Sequence, residues 1–100
     1  MNRIDATFER LRREGKSALI PFLTIGDPDL AASAELIAAC AAAGADMIEL
    51  GVPYSDPLAD GPVIQRASER ALQNRVTLED VVRTAAEARG LGADIPYILF

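Results

Sequence analysis

Apolar positions along this chain fall into two registers, short continuous runs of strand length and longer stretches repeating every three or four residues. From Asn2 to Glu14, Ile4, Phe8 and Leu11 recur at helical spacing between charged residues, and Gly15 is a stop signal. Ala18 to Thr24 is a nearly continuous apolar run, the signature of a parallel strand buried on both faces. Pro21 interrupts it, and a central strand spares an N–H poorly. Gly26-Asp27-Pro28-Asp29 reads as a turn, with Asp29 as the N-cap of a helix. The stripe of that helix is Leu30, Ala34, Ile37 and Ala41, widened by Leu36 and Cys40, and Gly44 ends it.

Met47 to Leu50 is a second strand, followed by a loop with three prolines and two aspartates that runs to Pro62. Val63 to Leu72 reads as a helix with Val63, Ile64, Ala67, Ala71 and Leu72 on its apolar side. Thr77 opens another helix, with Asp80 near the capping-box position and Val81, Val82, Ala85 and Ala88 facing inward. Gly90 and Gly92 close it, and Ile95 to Phe100 forms a third apolar strand. Strands alternating with helices imply crossover connections and a parallel sheet. Eight strand–helix units in a barrel of about 250 residues allow roughly 30 residues each. The step from Ala18 to Met47 fits that spacing, and the longer step to Ile95 calls for an inserted loop and an extra helix. Because parallel strands need covered faces and paired edges, the bare third strand points to a larger α/β protein or to assembly with other copies.

Composition narrows the function. The chain has 100 residues, half of them hydrophobic and a quarter charged, which suits one globular unit spanning residues 1–100. The formal charge of −5 and the dispersed basic residues argue against nucleic acid. No apolar run reaches the ~18 residues of a membrane span and no signal-peptide core stands at the start, so a cytoplasmic location is expected. Cys40 is the only cysteine and there is no histidine, so acid–base chemistry falls to carboxylates, tyrosine or lysine. No G-x-G-x-x-G or P-loop pattern follows either early strand, so dinucleotide and ATP sites find no support.

Glu49 stands out as an acid inside a buried strand. Strand alternation turns Met47, Glu49 and Gly51 one way and Ile48 and Leu50 the other. In a β/α barrel the aliphatic pair suits the helix layer, which sends Glu49 inward near the strand's C-terminal end. An unpaired buried carboxylate is pushed towards its neutral form and becomes able to give and take a proton. The competing reading is a structural Glu paired with an arginine or capping backbone amides. Asp60 reads first as turn chemistry or as a helix cap, although its loop is able to fold back over the strand end. Asp27 and Asp56, each before a proline, also read as turn residues, and Tyr54 and Tyr97 as packing residues.

The stretch from Glu49 to Pro62, ELGVPYSDPLADGP, closely resembles the signature of the tryptophan synthase alpha chain family. Pro21 to Pro28 resembles that family's first strand and turn, and Ala43-Gly44-Ala45-Asp46 the lead into its second strand. The resemblance implies the N-terminal portion of a (β/α)8 barrel with an extra N-terminal helix, about three of eight strands being present. It implies a lyase that splits indole-3-glycerol phosphate into indole and glyceraldehyde 3-phosphate by a retro-aldol reaction, without a cofactor or metal. Glu49 is then the acid–base group and Asp60 the partner of the indole N–H. Phe22, Ile64 and Phe100 fall on the indole pocket. The loop bearing Pro53, Tyr54, Ser55, Asp56 and Pro57 would meet a beta chain in a heterotetramer of two alpha and two beta chains. The phosphate loops of such barrels follow the seventh and eighth strands, so the 100 residues alone are expected to be inert. Other readings are a non-catalytic module that binds the beta chain or itself, and a doubly wound flavodoxin-like domain, which the missing phosphate loop disfavours.

Overall fold

Three parallel strands lie side by side in chain order: β1 (Phe22–Thr24), β2 (Ile48–Gly51) and β3 (Tyr97–Leu99). Four helices accompany them, α1 (Arg3–Glu14), α2 (Leu30–Ala42), α3 (Pro62–Gln73) and α4 (Leu78–Gly90). The structure, a computed structural model, describes residues 2–54 and 59–100. Phe22 is registered with Glu49 and Glu49 with Ile98, so these three side chains share one face of the sheet. Leu23, Leu50 and Leu99 share the other.

That second face is covered by helices. Ile48 and Leu50 are fully buried, in one cluster with Ile37 of α2 and with Val81 and Ala88 of α4. α2 and α4 also pack against each other. Sequential strand order with these two helices on one face is the wall of a β/α barrel, whereas a doubly wound sheet reverses its order and carries helices on both faces.

The regular strands are shorter than the apolar runs. β1 begins at Phe22 rather than Ala18, because Pro21 has no N–H to give. The alignment nevertheless extends below it, since the Asp46 N–H donates to the Leu19 carbonyl and the Glu49 N–H to the Pro21 carbonyl, both at 2.9 Å. Likewise β3 starts at Tyr97, after Pro96. Several apolar side chains expected inside are exposed, among them Phe8, Leu19, Leu36, Val63 at 71%, Val82 at 52% and Leu99. Val63 sits at the edge of the inward arc of α3, whose buried residues are Ala67, Ser68 and Ala71. On α4 the inward stripe is Val81, Thr84 and Ala88, and Thr84 fits there because its hydroxyl donates to the Asp80 carbonyl at 2.8 Å.

α1 closes the bottom of the sheet. Asn2 caps its start by accepting from the Asp5 N–H, and Gly15, at φ 67°, ends it with its N–H turned back to the Arg12 and Leu11 carbonyls. Arg10 reaches Asp46, just before β2, at 3.4 Å, while the other Asp46 oxygen accepts from the Leu19 N–H at 2.8 Å. Arg3 pairs with Asp94, ahead of β3. The N-terminal ends of the strands are thus tied to a helix, and the C-terminal ends are left for chemistry. No described helix is long and apolar enough to cross a membrane.

At the start of α4, the Thr77 hydroxyl accepts from the Asp80 N–H at 3.2 Å and the Asp80 carboxylate accepts from the Thr77 N–H at 2.9 Å. Those hydrogen bonds to Thr77, with Arg83 alongside, hold the Asp80 carboxyl below its ordinary value of 3.8. A carboxyl lowered by folding adds stability above its unfolded value, and that contribution disappears as pH falls through the folded one. Replacing Thr77 by Ala is expected to cost about 1 kcal/mol in urea unfolding at pH 7. The Asp80→Asn chain should be less stable than the unaltered one at pH 7, with the two converging in acid below the folded value. A stability gap that persists there would show that the charge plays no part.

Candidate active site

Above Glu49, the inner face of the sheet is built from Phe22 and Thr24 of β1, Gly51 of β2, and Phe100 just past β3. Gly51 is required by what lies across it: a Cβ there would stand 2.5 Å from the Phe22 Cζ and 3.2 Å from the Leu23 carbonyl oxygen. The Phe22 ring therefore lies over the strand and meets the Phe100 ring edge to face, at 5.8 Å between centroids and 88° between planes. This aromatic floor needs both the period-two alternation of the strands and a residue without a side chain at 51.

α3 supplies the opposite wall. Gly61 caps it without a side-chain hydrogen bond, Pro62 occupies its first turn, and Gln65 Nε2 donates to the Asp60 carbonyl at 2.7 Å. Ile64 and Ser68, one turn apart, face the sheet across a cleft of about 520 Å³, which Val52, Pro53, Tyr54, Ala59 and Asp60 complete. A largely apolar cleft of this size with one carboxylate suits a flat organic ligand bearing an N–H or O–H donor.

Phe22, Ile64, Phe100 and Asp60 are thus brought to one cavity. Asp60 is not the helix cap that its turn sequence suggests, since Gly61 holds that position and the Asp60 side chain is partly buried against the cleft. Pro53 and Tyr54 line the rim, Pro53 buried and Tyr54 exposed. Ser55, Asp56 and Pro57 lie outside the described residues. Glu49 stands on the same face as Phe22, one inward position below Gly51, and is not itself part of the cleft lining. It is partly buried rather than buried, because the inner face of a three-stranded wall is open. Among the described residues its carboxylate has no hydrogen-bond or ion-pair partner. The arginine pair or amide cap of the structural reading therefore does not occur there. Tyr97 faces the helix layer, donates to the Ala93 carbonyl and packs under Arg89, whose guanidinium carbon lies 4.5 Å from the ring centroid. It is a packing residue.

Three features escaped the sequence reading. Thr24 shares the parity of Phe22, and Ser68 lies four residues after Ile64, so both were reachable from periodicity. Asp27 is more than a turn residue: Arg70 of α3 grips both its oxygens, Nε at 2.8 Å and Nη2 at 2.9 Å, and holds its carboxyl below the ordinary range. No local pattern links positions 27 and 70.

Parallel strands in chain order, a helix layer on one face and an apolar, acid-bearing cleft at the strands' C-terminal ends define a segment of a β/α-barrel protein with its site at the usual end. A sequence profile of the family "Tryptophan synthase alpha chain" matches residues 8–100, and the chain belongs to that family. It is 60% identical over 102 residues to the tryptophan synthase alpha chain of a Synechocystis species, and 54% identical over 99 residues to that of an Azoarcus species. All of this chain is covered in the first comparison and 99% in the second. It spans only 38% and 36% of the lengths of those relatives. Among solved structures, the alpha subunit from Legionella pneumophila superposes with a TM-score of 0.85 at 44% identity, over 99% of this chain and 38% of that one. Tryptophan synthase from M. tuberculosis gives 0.88 at 36% identity, over 99% and 40%.

Replacing Gly51 by Ala should drive the Phe22 ring off the strand. Loss of ring-to-ring NOEs between Phe22 and Phe100, with a destabilisation of about 1–3 kcal/mol, is expected from overpacking of this kind. Retained NOEs at unchanged stability would show that the ring has room to spare.

Proposed function

We propose that these residues carry the catalytic acids of an alpha-chain lyase that cleaves indole-3-glycerol phosphate to indole and glyceraldehyde 3-phosphate. The observation that carries this reading is the shared face: Glu49, without a partner among the described residues, stands on the strand directly beneath an aromatic cleft that also receives Asp60. The indole ring packs on Phe22, Phe100 and Ile64. The Glu49 carboxyl protonates indole C3, which moves positive charge onto the ring nitrogen, and the Asp60 carboxylate accepts from that N–H and stabilises the charge. Loss of the proton from the adjacent glycerol hydroxyl, assisted by Glu49, forms the aldehyde as the carbon–carbon bond breaks. The bonding pair returns to the ring, and indole leaves without a cofactor.

The 100 residues are read as one partial domain of the barrel, in a cytoplasmic enzyme. The loop that starts at Pro53 and Tyr54 is assigned to a beta-chain partner in a heterotetramer. The short chain alone is expected to be inactive, because its Glu49 lies on an open face and barrels of this kind bind phosphate after their seventh and eighth strands.

The test is single-turnover release of indole from indole-3-glycerol phosphate by the full-length alpha chain carrying this sequence. Changing Glu49 to Gln should slow it by about 10³-fold, within the range for loss of a general acid–base group. Changing Asp60 to Asn should slow it by about 10²-fold, as when a charge-stabilising partner is removed. A Glu49→Gln chain as fast as the unaltered one sinks the acid–base assignment.

A further inference from the structure

The cleft has two walls that are remote in sequence, β1 with Phe22 and Thr24 and α3 with Ile64 and Ser68. Just beyond β1, the segment Gly26–Pro28 is bonded to the last turn of α3 and to its C-cap residue, Asn74. Arg70 forks onto both oxygens of Asp27, and Asn74 Nδ2 donates to the Gly26 carbonyl at 3.0 Å and the Pro28 carbonyl at 2.6 Å. Gly26 is fixed from its other side as well, its N–H donating to the buried Ser33 hydroxyl of α2 at 2.8 Å. There is no slack at this joint. Gly26 has φ 99°, and a Cβ there would collide with the Val76 side chain and come within 3.3 Å of the Ala71 Cβ.

We propose that the Asp27–Arg70 pair, with Asn74, is a positioning device that sets the separation of α3 from β1, and hence the width of the cleft for a planar aromatic ligand. This rests on the lyase reading of the same site. The physical ground is leverage. α3 is a 12-residue helix, about 18 Å of rigid rod, clamped in its C-terminal half while its N-terminal half bears Ile64 and follows Asp60. A small rotation at the clamp shifts Ile64 and the Asp60 backbone, which Gln65 ties to the same helix. A planar guanidinium bonded through two nitrogens fixes orientation as well as distance, and a lysine supplies charge without that orientation.

The alternative is a pin that only holds the fold, and lysine separates the two. In the full-length alpha chain, Arg70→Met and Arg70→Lys are compared with the unaltered protein for thermal stability, for indole affinity by calorimetry and for KM and kcat with indole-3-glycerol phosphate. Positioning predicts that Arg70→Met weakens indole and raises KM by about tenfold, as displacement of a ligand-bearing wall does. Arg70→Lys should recover the melting temperature, yet stay about threefold or more weaker for indole because the fork is gone. Asp27→Asn combined with Arg70→Met should be no worse than Arg70→Met alone. Indole affinity and KM within twofold of the unaltered chain in both Arg70 variants, with only stability altered, overturns the proposal. So does full recovery of affinity by lysine. An unaltered chain that binds indole and fails to cleave the substrate overturns the lyase reading instead, and the affinity comparison still decides the clamp. Failure of the unaltered chain to bind indole overturns both.

Discussion

Backbone pairing of β2 with a parallel strand on either side is the constraint on which the rest of the structure depends. Once Glu49 is registered with Phe22 and Ile98, alternation leaves no freedom about which residues meet the helices and which meet the interior. Ile48 and Leu50 are committed to α2 and α4, and their complete burial stabilises the wall. The acid goes to the opposite face, where apolar helices do not desolvate it. A shift of one residue in this register would bury Glu49 in the helix layer and expose both aliphatic side chains, an exchange that costs several kcal/mol for the carboxylate alone.

The division of labour between the two ends of the sheet follows from that wall. Below it, α1 and the ion pairs Arg10–Asp46 and Arg3–Asp94 tie down the strand starts. The arginines of these pairs are about half exposed and the pairs contribute modestly, so their effect is to orient the helix more than to stabilise the fold. Above it, the chain between β2 and α4 is long enough to hold a loop and α3, and α3 crosses to the end of β1 instead of joining the helix layer beside α4. A crossover with a single helix would have left the C-terminal ends of the strands bare. The inserted helix turns an aromatic strand surface into a cleft.

Family membership and geometry meet at particular residues. The match over residues 8–100 covers every strand and helix that builds the cleft. Phe22 and Gly51 show why the motif has its form: the Phe22 ring, which meets Phe100 edge to face, needs a bare backbone beneath it. Asp60 shows where local reading misleads, since Asp-Gly-Pro is good turn chemistry and the residue nevertheless faces the cavity. Its direction comes from α3, whose first turn holds the Asp60 carbonyl through Gln65.

Much of this fold is written in local pattern. Helix starts at Asn2, Asp29 and Thr77 are capped by side chains that reach only three residues ahead. The alternation across Met47 to Gly51 assigned Glu49 its face, because a period of two is a property of the strand itself. Exposure of Val63 and Val82 was not legible in the same way. Both lie at the margins of their helical stripes, where the neighbouring element decides which side chain is covered, and at Thr84 a hydroxyl satisfied by its own helix took the inward place. The grip of Arg70 on Asp27 was beyond local reading altogether. It joins residues 43 positions apart, and only the packing of α3 against β1 puts a guanidinium within reach of that carboxylate. The sequence by itself thus determined the elements, their caps and the face of each strand residue, all set by interactions within a few positions. Tertiary structure alone decided the cleft, because a cavity exists only between surfaces that the chain brings together from far apart.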